Sequence, residues 1–152
     1  MSIDFKKMTA KELLEIARGA EDDIADSLDL LKRAEERATR ITSIINDMPK
    51  SPNKGAGGHE AAMTEFIDLK GKITEAIRDY ELIQLMSMKL IDAISKADYR
   101  RLLMYRYLDN MTWTEIAGKI GYSERNTHRL KDKALEEAEI VWEKVKNCHT
   151  LS

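Results

Sequence analysis

Apolar residues recur through the first third of the chain at helical intervals. Leu13, Ala17, Ile24, Leu28, Leu31, Ala38, Ile41, Ile45 and Met48 are separated mostly by three, four or seven positions, which places them on one stripe of an α-helix. Thr9-Ala10-Lys11-Glu12 has the form of a capping box, so this helix is predicted to start at Thr9. Gly19 weakens the middle of the run and leaves one helix or two open. A second stripe, Met63, Phe66, Ile73, Ile77, Tyr80, Ile83, Leu90, Ile91 and Ile94, predicts a helix from about Glu60 to Ala97. Such a helix is roughly 57 Å long at about 1.5 Å per residue. Its stripe stays wet unless the first helix, a second copy of the chain, or both cover it. The expected arrangement is a long antiparallel helical hairpin that also mediates homodimerisation. Between the stripes, Pro49 to Gly58 holds both prolines and three glycines and has no periodicity. It reads as a flexible connector, because a phosphate-cradling loop would need a preceding strand and a different spacing. Met86, Met88 and Met104 are expected to fill core gaps.

From Asp98 the pattern shortens. A helix beginning near Asp98 carries Leu102, Leu103, Tyr105 and Leu108, and Asp109-Asn110-Met111 interrupts it. Thr112-Trp113-Thr114-Glu115 is a second capping box and opens a short helix with Ile116, Ala117 and Ile120. Gly121-Tyr122 then turns the chain, and Ser123 is a suitable N-cap for a third helix through Leu130, Ala134 and Leu135. These residue types meet the demands of a helix-turn-helix. Two helices that cross closely need a small residue at the crossing, here Ala117. The sharp turn after the first helix favours positive φ, which Gly121 tolerates. Ile116, Ile120 and Leu130 flank the crossing. Thr127 stands where such motifs usually place Val or Ile, but its methyl can pack and its hydroxyl can bond back to the helix.

On a helical wheel Thr127, Leu130 and Ala134 point inward, while Arg125, His128, Arg129 and Asp132 point outward and Glu124 and Asn126 flank them. Arg can bond guanine O6 and N7 together, Asn can bond adenine, and Glu can accept from a cytosine amine. Arg125, His128, Arg129, Glu124 and Asn126 are therefore the candidate base-reading residues. Ser123, Arg100, Arg101, Lys119 and Lys131 are candidates for phosphate contacts, which position a protein without reading sequence. Trp113 is expected to be core between the helices.

Charge narrows the picture. The chain of 152 residues has net charge -2, so nucleic-acid binding requires a local basic surface. Eight basic against five acidic residues from Asp98 to Leu135 supply one, a local +3. The acidic run Glu21, Asp22, Asp23, Asp26 and Asp29 spreads around a helix and reads as a solvated face rather than a metal site. Cys148 is the only cysteine, so no internal disulfide forms, and Cys148-His149 reads as tail. No signal-peptide core and no membrane-length apolar run is present. A soluble cytoplasmic protein without cofactor, metal or membrane association is expected. No catalytic constellation appears, so the chain is not expected to be an enzyme.

The segments Tyr99 to Leu108, Thr112 to Ala117, Gly121-Tyr122-Ser123 and Ala134-Leu135 resemble region four of bacterial sigma factors. The pattern from about residue 45 to 140 is closer still to small phage- and prophage-encoded proteins of the ArpU and RinA type, regulators of phage late transcription. That resemblance implies that Arg125, His128 and Arg129 occupy base-reading positions and that bacterial RNA polymerase is a second partner beside double-stranded DNA. Nothing resembles a promoter-melting region. The expected organisation is a hairpin over 1–97, a helix-turn-helix domain over 98–146 and a tail over 147–152. The expected function is sequence-specific transcriptional regulation. Alternatives are a DNA-packaging protein of the terminase small-subunit kind, a helical protein-interaction module and, more remotely, a recombinase, for which no nucleophilic constellation is seen.

Overall fold

The fold was obtained as a computed structural model, which describes residues 3–47 and 56–149. It is all-helical, with no strand among the described residues. A short 3-10 turn, Phe5–Lys7, precedes α1 (Ala10–Asp47). Then follow α2 (Ala56–Asp92), α3 (Ala97–Leu103), a π-turn over Met104–Leu108, α4 (Trp113–Ile120) and α5 (Glu124–His149). Most of the expected connector lies outside the described residues, and α2 already includes Ala56 to Gly58.

By packing, the chain divides into two compact units. One comprises Met1–Glu21 with Asp79–Ser152, and the other Asp22–Arg78. This division differs from the one at 97/98 drawn from the motif.

In the first unit every helix contributes to one apolar cluster. Leu13, Leu14 and Ala17 of α1 meet Ile83, Met86 and Leu90 of α2, Leu102 and Leu103 of α3, Ile116 of α4, and Ala134, Ala138 and Trp142 of α5. The inward stripe of α5 is thus Thr127, Leu130, Ala134, Ala138 and Trp142, and it extends well beyond Leu135 because the helix runs to His149. Trp142 is wholly buried, and its indole N–H donates to the Met8 carbonyl at 2.7 Å. The Phe5 ring meets its edge at 6.3 Å.

The start of α1 is capped twice. Thr9 Oγ1 accepts from Glu12 N at 3.1 Å, which is one half of the expected capping box; no return bond from Thr9 N to the Glu12 carboxylate forms among the described residues. The second cap comes from far along the chain: the Glu139 carboxylate accepts from Ala10 N and Lys11 N, both at 3.1 Å. Lys146 Nζ reaches the Lys6 carbonyl at 3.2 Å. The helix continues through Gly19 without a break.

The expected helix from Glu60 to Ala97 instead ends at Asp92. Ile94 remains buried, so the apolar spacing persists where the backbone has already left the helix. Ile94 N bonds Ile91 O, and Arg100 Nη1 donates to the carbonyls of Ile94 and Ser95 at 2.6 and 2.7 Å. Lys96, not Asp98, is the N-cap of α3, and it makes no side-chain cap bond. Asp98 lies in the first turn, where its charge suits the helix dipole. Met86 fills the core, but Met88 and Met104 are exposed, contrary to the expectation for all three.

The second unit buries little. Ala38 and Ile73 are its buried hydrophobics among the described residues, whereas Leu28, Leu30, Ile41, Ile44 and Ile67 are exposed. Here α1 and α2 line one cavity of about 280 Å³ with Glu35, Ala38, Thr39, Thr42, Ser43, Met63 and Phe66.

Among the described residues, no helix is long and apolar enough to cross a membrane.

Candidate nucleic-acid interface

The local structure around α4 and α5 follows from four residues. Thr112 accepts from Glu115 N at 3.2 Å, while the Glu115 carboxylate accepts from Thr112 N at 3.1 Å. This reciprocal pair starts α4. Gly121 ends it in the left-handed region, at φ 76 and ψ 26. The N–H groups of Gly121 and Tyr122 both donate to the Ala117 carbonyl at 3.0 Å. Ser123 Oγ then accepts from Asn126 N at 3.1 Å and starts α5.

A Cβ at Gly121 would meet nothing within 4 Å, so the cost of a side chain there lies in the backbone alone. Gly121→Ala should lower stability by about 1–2 kcal/mol, the usual left-handed penalty. Gly118 also has open space, but it lies in the helical region within α4. Gly118→Ala should raise stability by about 0.5–1 kcal/mol. Paired thermal melts of the two variants check both signs.

Thr127 is fully buried, and its hydroxyl donates to the Ser123 carbonyl at 2.8 Å. The position usually filled by Val or Ile therefore packs its methyl and satisfies its hydroxyl internally. Around it, Glu124, Arg125, Asn126, Arg129 and Asp132 are exposed, and His128 is half-buried. The structure thus brings the five predicted base-reading residues together on the first two turns of α5. Arg125 and Arg129, one helical turn apart, take part in no ion pair among the described residues. Glu124 differs, since it accepts from the Thr114 hydroxyl at 2.5 Å and so links the starts of α4 and α5.

The predicted phosphate contacts are more scattered. Ser123 is occupied as the cap of α5. Arg101 and Lys119 line one cavity of about 250 Å³ with Asp98, Tyr105, Ile120, Tyr122 and Leu130. The Lys119 ammonium lies 4.6 Å from the Tyr105 ring centroid. Lys131 sits 5.5 Å from the Trp113 ring and 3.7 Å from the Asp132 carboxylate. Arg100 is occupied inside the chain by the carbonyls after α2.

Trp113 is half-buried, and polar side chains lie against its ring. The Arg106 guanidinium lies 4.6 Å from its ring centroid and the His128 ring 4.9 Å from it. Arg106 also donates to the Met111 carbonyl at 3.1 Å. Burial, then the nearby charge of Arg18, pushes the Arg106 guanidinium below its ordinary value. Arg106 belongs to the π-turn, in which Asp109 N bonds Met104 O and Met111 N bonds Tyr105 O, each at 2.9 Å. Asn110 closes that turn at φ 56. Burial also pushes the Tyr107 phenol up. No residue pattern signals the π-turn, a rare departure from the α-helix, in which Tyr107 is buried in the core.

The chain is 34% identical over 119 residues to an Enterococcus hirae protein, ArpU, named for autolysin regulation. The match covers 74% of this chain and 77% of the relative. No family model and no solved structure matches. The relationship supports a general regulatory role and so a class, the helical regulatory proteins. Within it, the chain belongs to the ArpU family.

Proposed function

We propose that this chain is a sequence-specific DNA-binding regulator of transcription. In this reading, α4, the Gly121 turn and α5 form a sigma region-four-like helix-turn-helix, and α5 is the recognition helix. The helices α1 and α2 form an antiparallel hairpin through which two copies associate. The observation that carries the reading is the joint exposure of Arg125 and Arg129 at the start of α5, beside a buried Thr127 that fixes which face looks out. Arg125, Arg129, Asn126 and His128 would address base edges in the major groove. Arg101, Lys119 and Lys131 would address phosphates. A bacteriophage origin and contact with host RNA polymerase extend the same proposal through the resemblance to phage late regulators.

Fluorescence anisotropy on duplexes from the DNA flanking the protein's own gene, against random duplexes at the same salt, tests it. A target should bind at least about a thousandfold more tightly than random sequence. Equal affinity for all duplexes at every salt concentration overturns the proposal.

A further inference from the structure

Within the unit Asp22–Arg78, α1 carries a stripe separate from the seam of Ile24, Leu31 and Ala38, which are half-buried or buried. Asp23, Asp26, Leu30, Arg33, Arg37 and Arg40 follow at intervals of three and four, so they share one side of the helix. Each is exposed. Leu30 is 50% exposed, and Ile44, which continues the stripe, is 56% exposed. The charges are polarised about Leu30, with carboxylates before it and guanidiniums after it. Arg33 is held by Asp29 on its own helix at 2.9 Å. Asp23, Asp26, Arg37 and Arg40 form no ion pair among the described residues.

A stripe polarised in this way complements itself when turned end over end. We propose that it is the contact with a second copy of this chain, the two α1 helices packing antiparallel about a two-fold axis that passes between Leu31 and Lys32. That register sets Asp23 opposite the partner's Arg40 and Asp26 opposite the partner's Arg37. The symmetry repeats both pairs, as an isologous interface requires. A parallel pairing would set carboxylate on carboxylate and guanidinium on guanidinium, which is repulsive throughout. Leu30 lies beside the axis and supplies apolar area at the centre, where charges are least shielded from one another. The small core of this unit makes added burial from a second copy valuable. The inference rests on the homodimer reading above and gives it a surface and a direction.

Charge reversal tests the register. Asp23→Arg with Asp26→Arg makes the four positions all basic, and Arg37→Asp with Arg40→Asp makes them all acidic. Sedimentation and light scattering should show the wild type as a dimer. Each double variant should dissociate, its dimer constant weakening by about tenfold or more. Mixed in equal amounts, the two variants should form a heterodimer, because every facing pair is then opposite in sign. Far-UV circular dichroism should show unchanged helicity throughout. A monomeric wild type, dimeric double variants, or a mixture that stays monomeric each overturns the proposal. Anisotropy on a single short site keeps the two readings apart. Monomeric variants that still bind it as the wild type does leave DNA binding intact. A wild type that dimerises in this register yet binds no DNA sinks only the functional reading.

Discussion

Trp142→Ala should lower the stability of the unit that carries α5 by about 3–5 kcal/mol, the range for emptying a buried tryptophan site. The side chain is wholly buried and packs with α1, α2 and α3 in one cluster. It also holds the Met8 carbonyl at 2.7 Å, which truncation leaves without its donor. Trp142→Phe separates the two contributions. It keeps most of the volume and removes the hydrogen bond, so it should cost about 1–3 kcal/mol. Urea denaturation followed by far-UV circular dichroism measures both, with Trp113 fluorescence as the local reporter. A drop under about 1 kcal/mol for the alanine variant would mean that the N-terminal segment does not dock on α5.

The second large effect concerns recognition. Arg125→Ala with Arg129→Ala should remove most of the preference of the protein for its target over random DNA. Each bidentate arginine–guanine contact is worth about 1–3 kcal/mol of discrimination, so the pair accounts for roughly thirtyfold to twenty-thousandfold. Both side chains are exposed, so folding should not change, and thermal melts should match the wild type. Lys119→Ala makes the contrast. If its ammonium meets a phosphate as proposed, removing it should weaken all sequences alike and flatten the salt dependence by about one unit of slope. Anisotropy titrations over a range of salt separate these patterns. If the double arginine variant weakens target and random DNA equally, α5 touches only the backbone of the duplex.

The segment from Thr112 to Asn126 is legible in the sequence because its structure is made by near neighbours. Thr112 and Glu115 cap each other three residues apart, Gly121 takes the left-handed turn, and Ser123 caps three residues ahead. Such interactions depend little on the rest of the chain. The outward face of α5 follows from the same locality, since Thr127 and Ala134 have to be buried and are. Where partners are distant, the pattern is silent. Glu139 looks like one more charged residue on a helix, yet it caps a helix that starts 129 residues earlier. Ile94 keeps the apolar period of α2 after the backbone has turned away, which hides the break before α3. Trp113 has the size and apolarity of a core residue. It lies at the margin of the core, where the side chains of Arg106 and His128 lie against its ring. Glu124 has the position of a base reader, and its bond to Thr114 shows a second allegiance.

The double cap on α1 also has a temporal side. On the ribosome, Ala10 and Lys11 emerge long before Glu139, 129 residues later. At synthesis rates of about 5–20 residues per second, the amino end waits roughly ten seconds for its distant carboxylate. The stretch Asp22–Arg78 is contiguous and can close meanwhile, whereas the unit bearing the arginines of α5 must join both ends of the chain. Pairings so far apart in sequence slow folding. The face proposed to meet a duplex should therefore be the last part of this molecule to form.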